Sequence, residues 1–414
     1  MRYSEMMVNR MTEIIKYDEM KSTRERWLGE IPASWGTLRL KRIFTIKKDI
    51  AGEEGHTVLS VTQKGIRPKV MSEKGQFALD YSKYQLVNRG EFVMNHMDLL
   101  TGWVDISDYD GVTSPDYRVF VNSDPSKYDS SYYRYIFQLC YSARIFYGLG
   151  QGVAGFGRWR LPADMFLNFG LPVPPIGEQH SIAAYLDDRV SQIDSFIEDV
   201  RMSIEEYTRW KASVINEAVT KGLDKSVPKK NSHIPWIGSI PSAWKLIKVK
   251  RVVRIENGSD PQTEGDIPVY GSGTGSFKTC GEYKEGPTVL LGRKGTLNIP
   301  HYIEGKYWNV DTAFNVVVKD DAINLKYFYY TAICFDYPAY SSQTTLPSMT
   351  QSNYNNMLIP YPSIDEQGRI VCYLDKVISE IDELINEKKL LIDDLEMYKR
   401  SLIYEAVTGK RKVV

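Results

Sequence analysis

Cysteine is scarce in this 414-residue chain: Cys140, Cys280, Cys334 and Cys372 lie far apart, and no two form a C-x-x-C pair. That pattern reads as a protein of a reducing cytoplasm without structural zinc. Long apolar runs are missing too. None approaches the ~20 residues of a membrane helix, and the charged N-terminus lacks the apolar core of a signal peptide, so the expectation is a cytoplasmic protein with no membrane association. Net charge is absent: 52 Lys+Arg balance 52 Asp+Glu. That balance argues mildly against a chain that coats nucleic acid non-specifically. Catalytic signatures are wanting as well. No lysine follows the Gly271–Gly275 run at P-loop spacing, and there is no H-E-x-x-H, no G-x-S-x-G and no Asn/Asp-Pro-Pro-aromatic motif. The five histidines (His56, His96, His180, His233, His301) are scattered without a metal-binding pattern. The chain therefore reads as non-enzymatic, with no metal and no cofactor of its own.

What is present is a duplication. At 43% hydrophobic and 25% charged residues the chain has material for packed cores, and its length predicts two to four domains. Residues 176–220 align without a gap onto 364–408 with 19 of 45 positions identical, among them Glu178-Gln179 with Glu366-Gln367, Tyr185-Leu186-Asp187 with Tyr373-Leu374-Asp375, and Glu217-Ala218-Val219-Thr220 with Glu405-Ala406-Val407-Thr408. Upstream, Trp27-Leu28-Gly29-Glu30-Ile31-Pro32 recurs as Trp236-Ile237-Gly238-Ser239-Ile240-Pro241, each followed by a second tryptophan (Trp35, Trp244). Between these shared ends the halves look almost unrelated. A duplicated frame around two unlike inserts suggests one task performed on two targets, or a tandem duplication whose surfaces drifted.

The repeated segments carry heptads. Leu186, Val190, Ile193, Ile197 and Ile204 in the first copy, and Leu374, Ile378, Ile381, Ile385 and Ile392 in the second, step by fours and threes as a coiled-coil seam does. Lys211 and Lys399 interrupt both seams at equivalent places. Prolines precede both helices, and Gly222 and Gly409 sit where helices stop. Each helix of about 40 residues would be a rod roughly 60 Å long. Two like rods most simply pair, and antiparallel pairing lets the repeat close with pseudo-two-fold symmetry; the alternative is that each packs only on its own globular domain.

The inserts mix short β-type runs with aromatic clusters such as Tyr132–Phe137 and Tyr327–Tyr330, and read as α+β domains whose aromatics are core. Five glycine-flanked polar segments do not look like core. They supply the candidate DNA-contacting residues Lys64, Arg67, Lys69, Gln151, Arg158 and Arg160 in the first insert, and Ser272, Lys278, Arg293, Lys294, Thr296, Gln343 and Thr344 in the second. Such side chains grip phosphates and read base edges, arginine suiting guanine and glutamine adenine. A single loop of this kind is commonly just a turn; five across two parallel domains raise DNA contact as a rival reading. The charge balance is itself composite. The two 45-residue helical repeats hold 20 acidic and 10 basic residues, leaving the remainder of the chain mildly basic.

The W-[LI]-G-x-I-P openings, the P-x-I-x-E-Q helix starts at 174–179 and 362–367 and the Glu-Ala-Val-Thr helix ends together resemble the DNA-specificity subunit of type I restriction–modification enzymes. Asn95–Gly102 is similar to a segment of one group of target-recognition domains in that family. Ile267–Ser272, Gly292–Gly295 and Asp311–Phe314 are similar to segments of another. The resemblance implies an α+β architecture with two target-recognition domains, each followed by a long helix, the helices pairing as an antiparallel coiled coil. The expected partition is an N-terminal helical extension (1–26), a first recognition domain (27–175), a central spacer helix (176–220), a linker (221–235), a second recognition domain (236–363), a C-terminal spacer helix (364–408) and a basic tail (409–414). It further implies one domain per half of a bipartite double-stranded DNA target. Two methylation subunits bringing S-adenosylmethionine would dock on the helices, and two restriction subunits would bring ATP and Mg. A methylation-only or type IIB-like system is an alternative within the family, and a protein-binding coiled-coil scaffold is one outside it.

Overall fold

A computed structural model describes residues 15–69, 80–152, 159–342 and 346–413. The chain divides into two compact units, one comprising Met1–Asp199 with Leu391–Val414 and the other Val200–Leu390.

The first unit opens with a hairpin of β1 (Met20–Ser22) and β2 (Glu30–Pro32), followed by β3 (Gly36–Arg39) and β4 (Phe44–Lys47). A second hairpin, β5 (Leu59–Thr62) and β6 (Gly65–Pro68), precedes β7 (Phe92–Met94), β8 (Val104–Ile106) and β9 (Arg118–Asn122). The central sheet has the antiparallel order β4-β9-β7-β8. Helix α1 (Ser130–Ser142) is capped by Asp129, whose carboxylate accepts from Tyr132 N at 3.0 Å. The chain returns through β10 (Gly170–Val173), paired with β3, into α2 (Ile176–Lys221). Between sheet and helix Phe44 meets Phe92, Phe120, Phe137 and Tyr133 edge to face, while Phe92 and Phe120 stack. The aromatic run at 132–137 is core, as its helical spacing suggests.

The second unit repeats this frame. The hairpin of β11 (Lys229–Asn231) and β12 (Ser239–Pro241) leads to β13 (Lys245–Lys248) and β14 (Val253–Asn257). Then come β15 (Ile267–Tyr270), β16 (Ser276–Cys280), β17 (Thr288–Gly292), β18 (His301–Ile303), β19 (Lys306–Asn309) and β20 (Ala313–Val318). The order β14-β20-β17-β18 reproduces the first unit's sheet. A second sheet, with β15 antiparallel to β16 and parallel to β19, has a looser counterpart in the first unit, where the β5–β6 hairpin meets the strand Gly111–Thr113 through a parallel bridge, Val58 to Val112. Helix α3 (Leu325–Ile333), capped by Asn324, precedes β21 (Leu358–Tyr361), paired with β13, and then α4 (Ile364–Val407). The middles that look unrelated in sequence thus share a sheet topology.

The repeated motifs are the joints between helix and domain. In the first unit Trp35 Nε1 donates to Glu178 at 2.9 Å; in the second Trp244 Nε1 donates to Glu366 at 3.0 Å. The neighbouring Gln179 is fully buried, accepting from Asp129 N at 2.8 Å and donating to Pro174 O at 2.8 Å and Lys127 O at 3.1 Å. Gln367 accepts likewise from Asn324 N and donates to Pro362 O. Asp187 receives Arg134 and Tyr135, and Asp375 receives Lys326 and Tyr330. At the helix ends Val407 O accepts from the Tyr132 hydroxyl at 2.8 Å and Val219 O lies 3.2 Å from the Tyr327 hydroxyl. Gly222 and Gly409 then stop the helices in the left-handed region, at φ 71° each.

Along the helices, Leu186, Val190, Ile193 and Ile197 share a core with Ile392, Leu395, Leu402 and Ala406 in the first unit. In the second, Ile215 and Ala218 share one with Ile370, Leu374 and Ile378. Ile381 and Ile385 are buried, and Ile204 is half-buried. The lysines that break the seams find aspartates: Lys399 Nζ lies 2.5 Å from Asp194 within the first unit, and Lys211 Nζ 2.7 Å from Asp382 within the second.

Two expectations are corrected. Of the segment expected as a helical extension, 1–14 lie outside the described residues, while Met20–Ser22 is a strand; all three of its residues are exposed, and the backbone of β2 holds it. The expected linker likewise contains a strand, Lys229–Asn231, held by the backbone of Ser239–Pro241. The duplication therefore begins before the tryptophans. In the basic tail Arg411 is buried against Glu405, and Lys410 Nζ donates to Leu28 O at 2.7 Å.

Candidate nucleic-acid interface

In the first unit the expected basic residues fall in two places. Lys64 and Arg67 are exposed and Lys69 half-buried on the β5–β6 hairpin. Its turn is made by Gly65 at φ +97° and by the Thr62 hydroxyl, which accepts from Lys64 N. Gln151 and Arg160 instead face each other across a backbone rung, N to O distances being 2.8 and 3.0 Å. Both side chains are exposed. The rung is fixed by Trp159, whose Nε1 donates to Tyr147 O and whose indole lies against Gly150, leaving no room there for a Cβ. Arg158 lies outside the described residues.

Below Arg160 is a cleft of about 260 Å³ lined by Lys47, Lys48, His96, Asp116 and Arg118. Arg118, at the start of β9, is 5% exposed; its Nη2 donates to Leu161 O at 3.1 Å, and the guanidinium packs 4.7 Å from the Phe166 ring centre. Its Nη1 and the Nδ1 of His96 are buried without a hydrogen-bond partner among the described residues. Burial brings Arg118 down to about 10. Burial, reinforced by Arg118 and Arg160, brings His96 down to about 4, so its ring is neutral at pH 7. Neither residue was among the sequence candidates. His96 belongs to the Asn95–Gly102 segment, whose turn is built by Asp98 accepting from Leu100 N and Thr101 N.

In the second unit three loops converge. Ser272 Oγ donates to Lys294 O at 2.5 Å, Gly295 N to Pro347 O at 2.9 Å, and Met349 N to Arg293 O at 2.9 Å. Ser272, Arg293 and Lys294 therefore form one surface, with the exposed Thr296 a short step along the chain. Lys294 is held 3.5 Å from Asp311, and Arg293 is turned inward, Nη1 donating to Asp311 O with the guanidinium near Phe314. Lys278 is exposed on β16 beside Phe277, itself 61% exposed. Gln343 and Thr344 lie outside the described residues.

No described helix is long and apolar enough to cross a membrane. The profile of the type I restriction modification DNA specificity domain matches residues 32–205 and again 241–393. The type I restriction enzyme MjaVIII specificity subunit of Methanocaldococcus jannaschii is 23% identical over 97% of the chain and 99% of its own length. The MjaIX specificity subunit of the same organism is 27% identical over 39% of the chain and 43% of its own. Among solved structures, a chain described under complex assembly and conformational transition of the type I R-M system superposes with TM-score 0.70 at 14% identity, covering 91% of this chain and 98% of that one. The HsdS subunit of Thermoanaerobacter tengcongensis gives 0.50 at 14% identity, covering 92% and 98%.

Proposed function

Because the chain belongs to the type I restriction–modification DNA specificity family, with two copies of the family's domain, we propose that it is the non-catalytic subunit that reads a bipartite double-stranded DNA target, one domain per half-site. The observation that carries this reading is the duplicated frame with unlike loops: the same sheet order and the same Trp–Glu and Gln joints present a basic hairpin in one unit and a three-loop surface in the other. Exposed Lys64, Arg67, Arg160, Lys278 and Lys294 supply phosphate contacts, and neighbouring polar side chains supply base contacts.

Helices α2 and α4 pair as an antiparallel coiled coil and act as the spacer. Supporting this, Asp194–Lys399 and Lys211–Asp382 join equivalent residues of the two repeats in exchanged roles, as a pseudo-two-fold axis requires. Methylation subunits dock on the helices. In favour, Phe196 and Met397 are about half exposed on the first unit's helical segments, and Met202, Trp210 and Leu390 are about half exposed or more on the second's, apolar side chains that a docked partner would cover. The partners, two methylation and two restriction subunits in the cytoplasm, bring S-adenosylmethionine, ATP and Mg.

The test is spacing. One heptad inserted at matched positions in α2 and α4 adds about 10 Å of helix, close to three base pairs. Genome-wide mapping of methylated bases should show the same half-sites with a longer gap. Methylation at the original spacing would overturn the spacer role, and methylation at unrelated sequences would overturn the assignment of one domain to each half-site.

A further inference from the structure

We propose that the cleft between Arg118, His96 and Arg160 in the first unit is a phosphoryl-oxygen subsite. On the reading above, its natural occupant is a backbone phosphate of the first half-site. Three observations lead there. Arg118 is an arginine held nineteen-twentieths buried, yet only one edge of its guanidinium is used, on Leu161 O; the Nη1 edge has no acceptor among the described residues. A buried donor left unmatched is costly, so such an edge persists where an acceptor is to be received. The lining is cationic, with Lys47, Lys48 and Arg160 around Arg118 against the single carboxylate of Asp116. Lys47 is shared with Glu91 at 2.8 Å, which leaves Lys48 and Arg160 at the rim as the freer charges.

The neutral imidazole of His96 fits the same ligand. Burial, reinforced by Arg118 and Arg160, acts against its protonation, so the buried Nδ1, without a partner among the described residues, is able to donate from the neutral tautomer. The guanidinium fork suits a phosphate, whose tetrahedral oxygens accept two N–H groups at once. The floor is set rigidly. Arg118 sits over Phe166, and the backbone of Leu161 is tied to His96 O at 2.9 Å, so ligand, histidine and arginine are linked through one short stretch of chain.

The test uses the full chain and inorganic phosphate, with chloride at matched ionic strength as control. The His96 ring resonance, assigned by its loss in His96→Gln, should move saturably with phosphate and not with chloride. Arg160→Gln, at an exposed position that spares folding, should weaken phosphate binding about tenfold, and Arg118→Met should abolish it. In the complex reconstituted with methylation subunits, single methylphosphonate substitutions across the first half-site should reveal one position whose penalty vanishes in Arg160→Gln. A saturable shift with no such DNA position keeps the subsite but assigns it to free phosphate. Failure of the complex to bind any DNA, with the phosphate shift intact, would overturn the DNA reading and leave the subsite standing. No phosphate-specific shift in a folded wild-type chain overturns the subsite itself.

Discussion

Gln179→Met removes the polar end of a buried side chain at nearly constant volume and tests what the repeated Glu-Gln pair is for. The amide serves three backbone groups: Asp129 N at 2.8 Å, Pro174 O at 2.8 Å and Lys127 O at 3.1 Å. Of these bonds the one to Pro174 O is fully buried and the other two partly. An unmatched buried group costs about 1–3 kcal/mol and partly wetted ones less, so the loss should be about 2–5 kcal/mol. Asp129 is also the cap of α1, so the damage falls on the joint between α1 and α2 in the first unit. For a unit of this size the melting transition should drop by roughly 5–15 °C. Because two units can unfold separately, hydrogen exchange read by mass spectrometry is the suitable assay, with the loss of protection confined to the first unit. Gln367→Met should transfer the same effect to the second. Gln192→Met is the control, since Gln192 is exposed and, among the described residues, bonds Asp188 and Arg189 on the surface. If Gln179→Met melts within a degree of the wild type while assembly with partners fails, the pair is a docking element and the structural account is wrong.

The Lys211–Asp382 pair is partly exposed, so Lys211→Glu and Asp382→Lys should each destabilise the second unit, and the double exchange should recover about 0.5–1 kcal/mol in a urea-unfolding cycle; zero coupling would remove this pair from the argument for helix register. His96 has its folded-state pKa lowered to about 4 against 6.5 unfolded. Its contribution is therefore complete above pH 6.5 and is lost as pH falls towards 4, because there the unfolded chain binds the extra proton. His96→Gln should flatten that part of the stability profile by about 1–3 kcal/mol, and an unchanged slope between pH 4 and 6.5 would refute the burial of a neutral ring. Gly409→Ala should cost more than Gly222→Ala: both sit at φ 71°, but a Cβ at 409 would lie 2.2 Å from the Pro32 ring, against 3.0 Å from Trp244 at 222. Equal melting temperatures for the two variants would contradict that ranking.

How much of this was legible in the sequence follows from where the chain keeps its information. Residues whose partners are fixed by the frame repeat letter for letter: Glu178 needs Trp35 as Glu366 needs Trp244, and Val219 and Val407 meet tyrosines through backbone carbonyls at equivalent helix ends. The 188-residue offset therefore exposes both long helices and their stops. The central sheets are different. Their central strands contribute runs of buried, mostly apolar side chains and backbone bonds, for which Phe120 and Val316 serve equally well, so a common topology survives with little identity. Strands β1 and β11 escape notice for the same reason. Three exposed residues, Met-Lys-Ser in one and Lys-Lys-Asn in the other, make a strand only because β2 and β12 offer them a backbone edge. Charge and glycine located the outer loops, but not what their side chains do, since Arg293 turns inward to Asp311 O. Arg118 was hidden most completely. In the sequence it merely opens an apolar strand, and its meaning arises only when Leu161, Phe166 and His96, brought from distant positions, leave one edge of its guanidinium unmatched. The general inference is physical: pattern reveals groups that must be satisfied by the fold, whereas a group left unsatisfied by the fold, the kind that waits for a ligand, is visible only once every other bond has been placed.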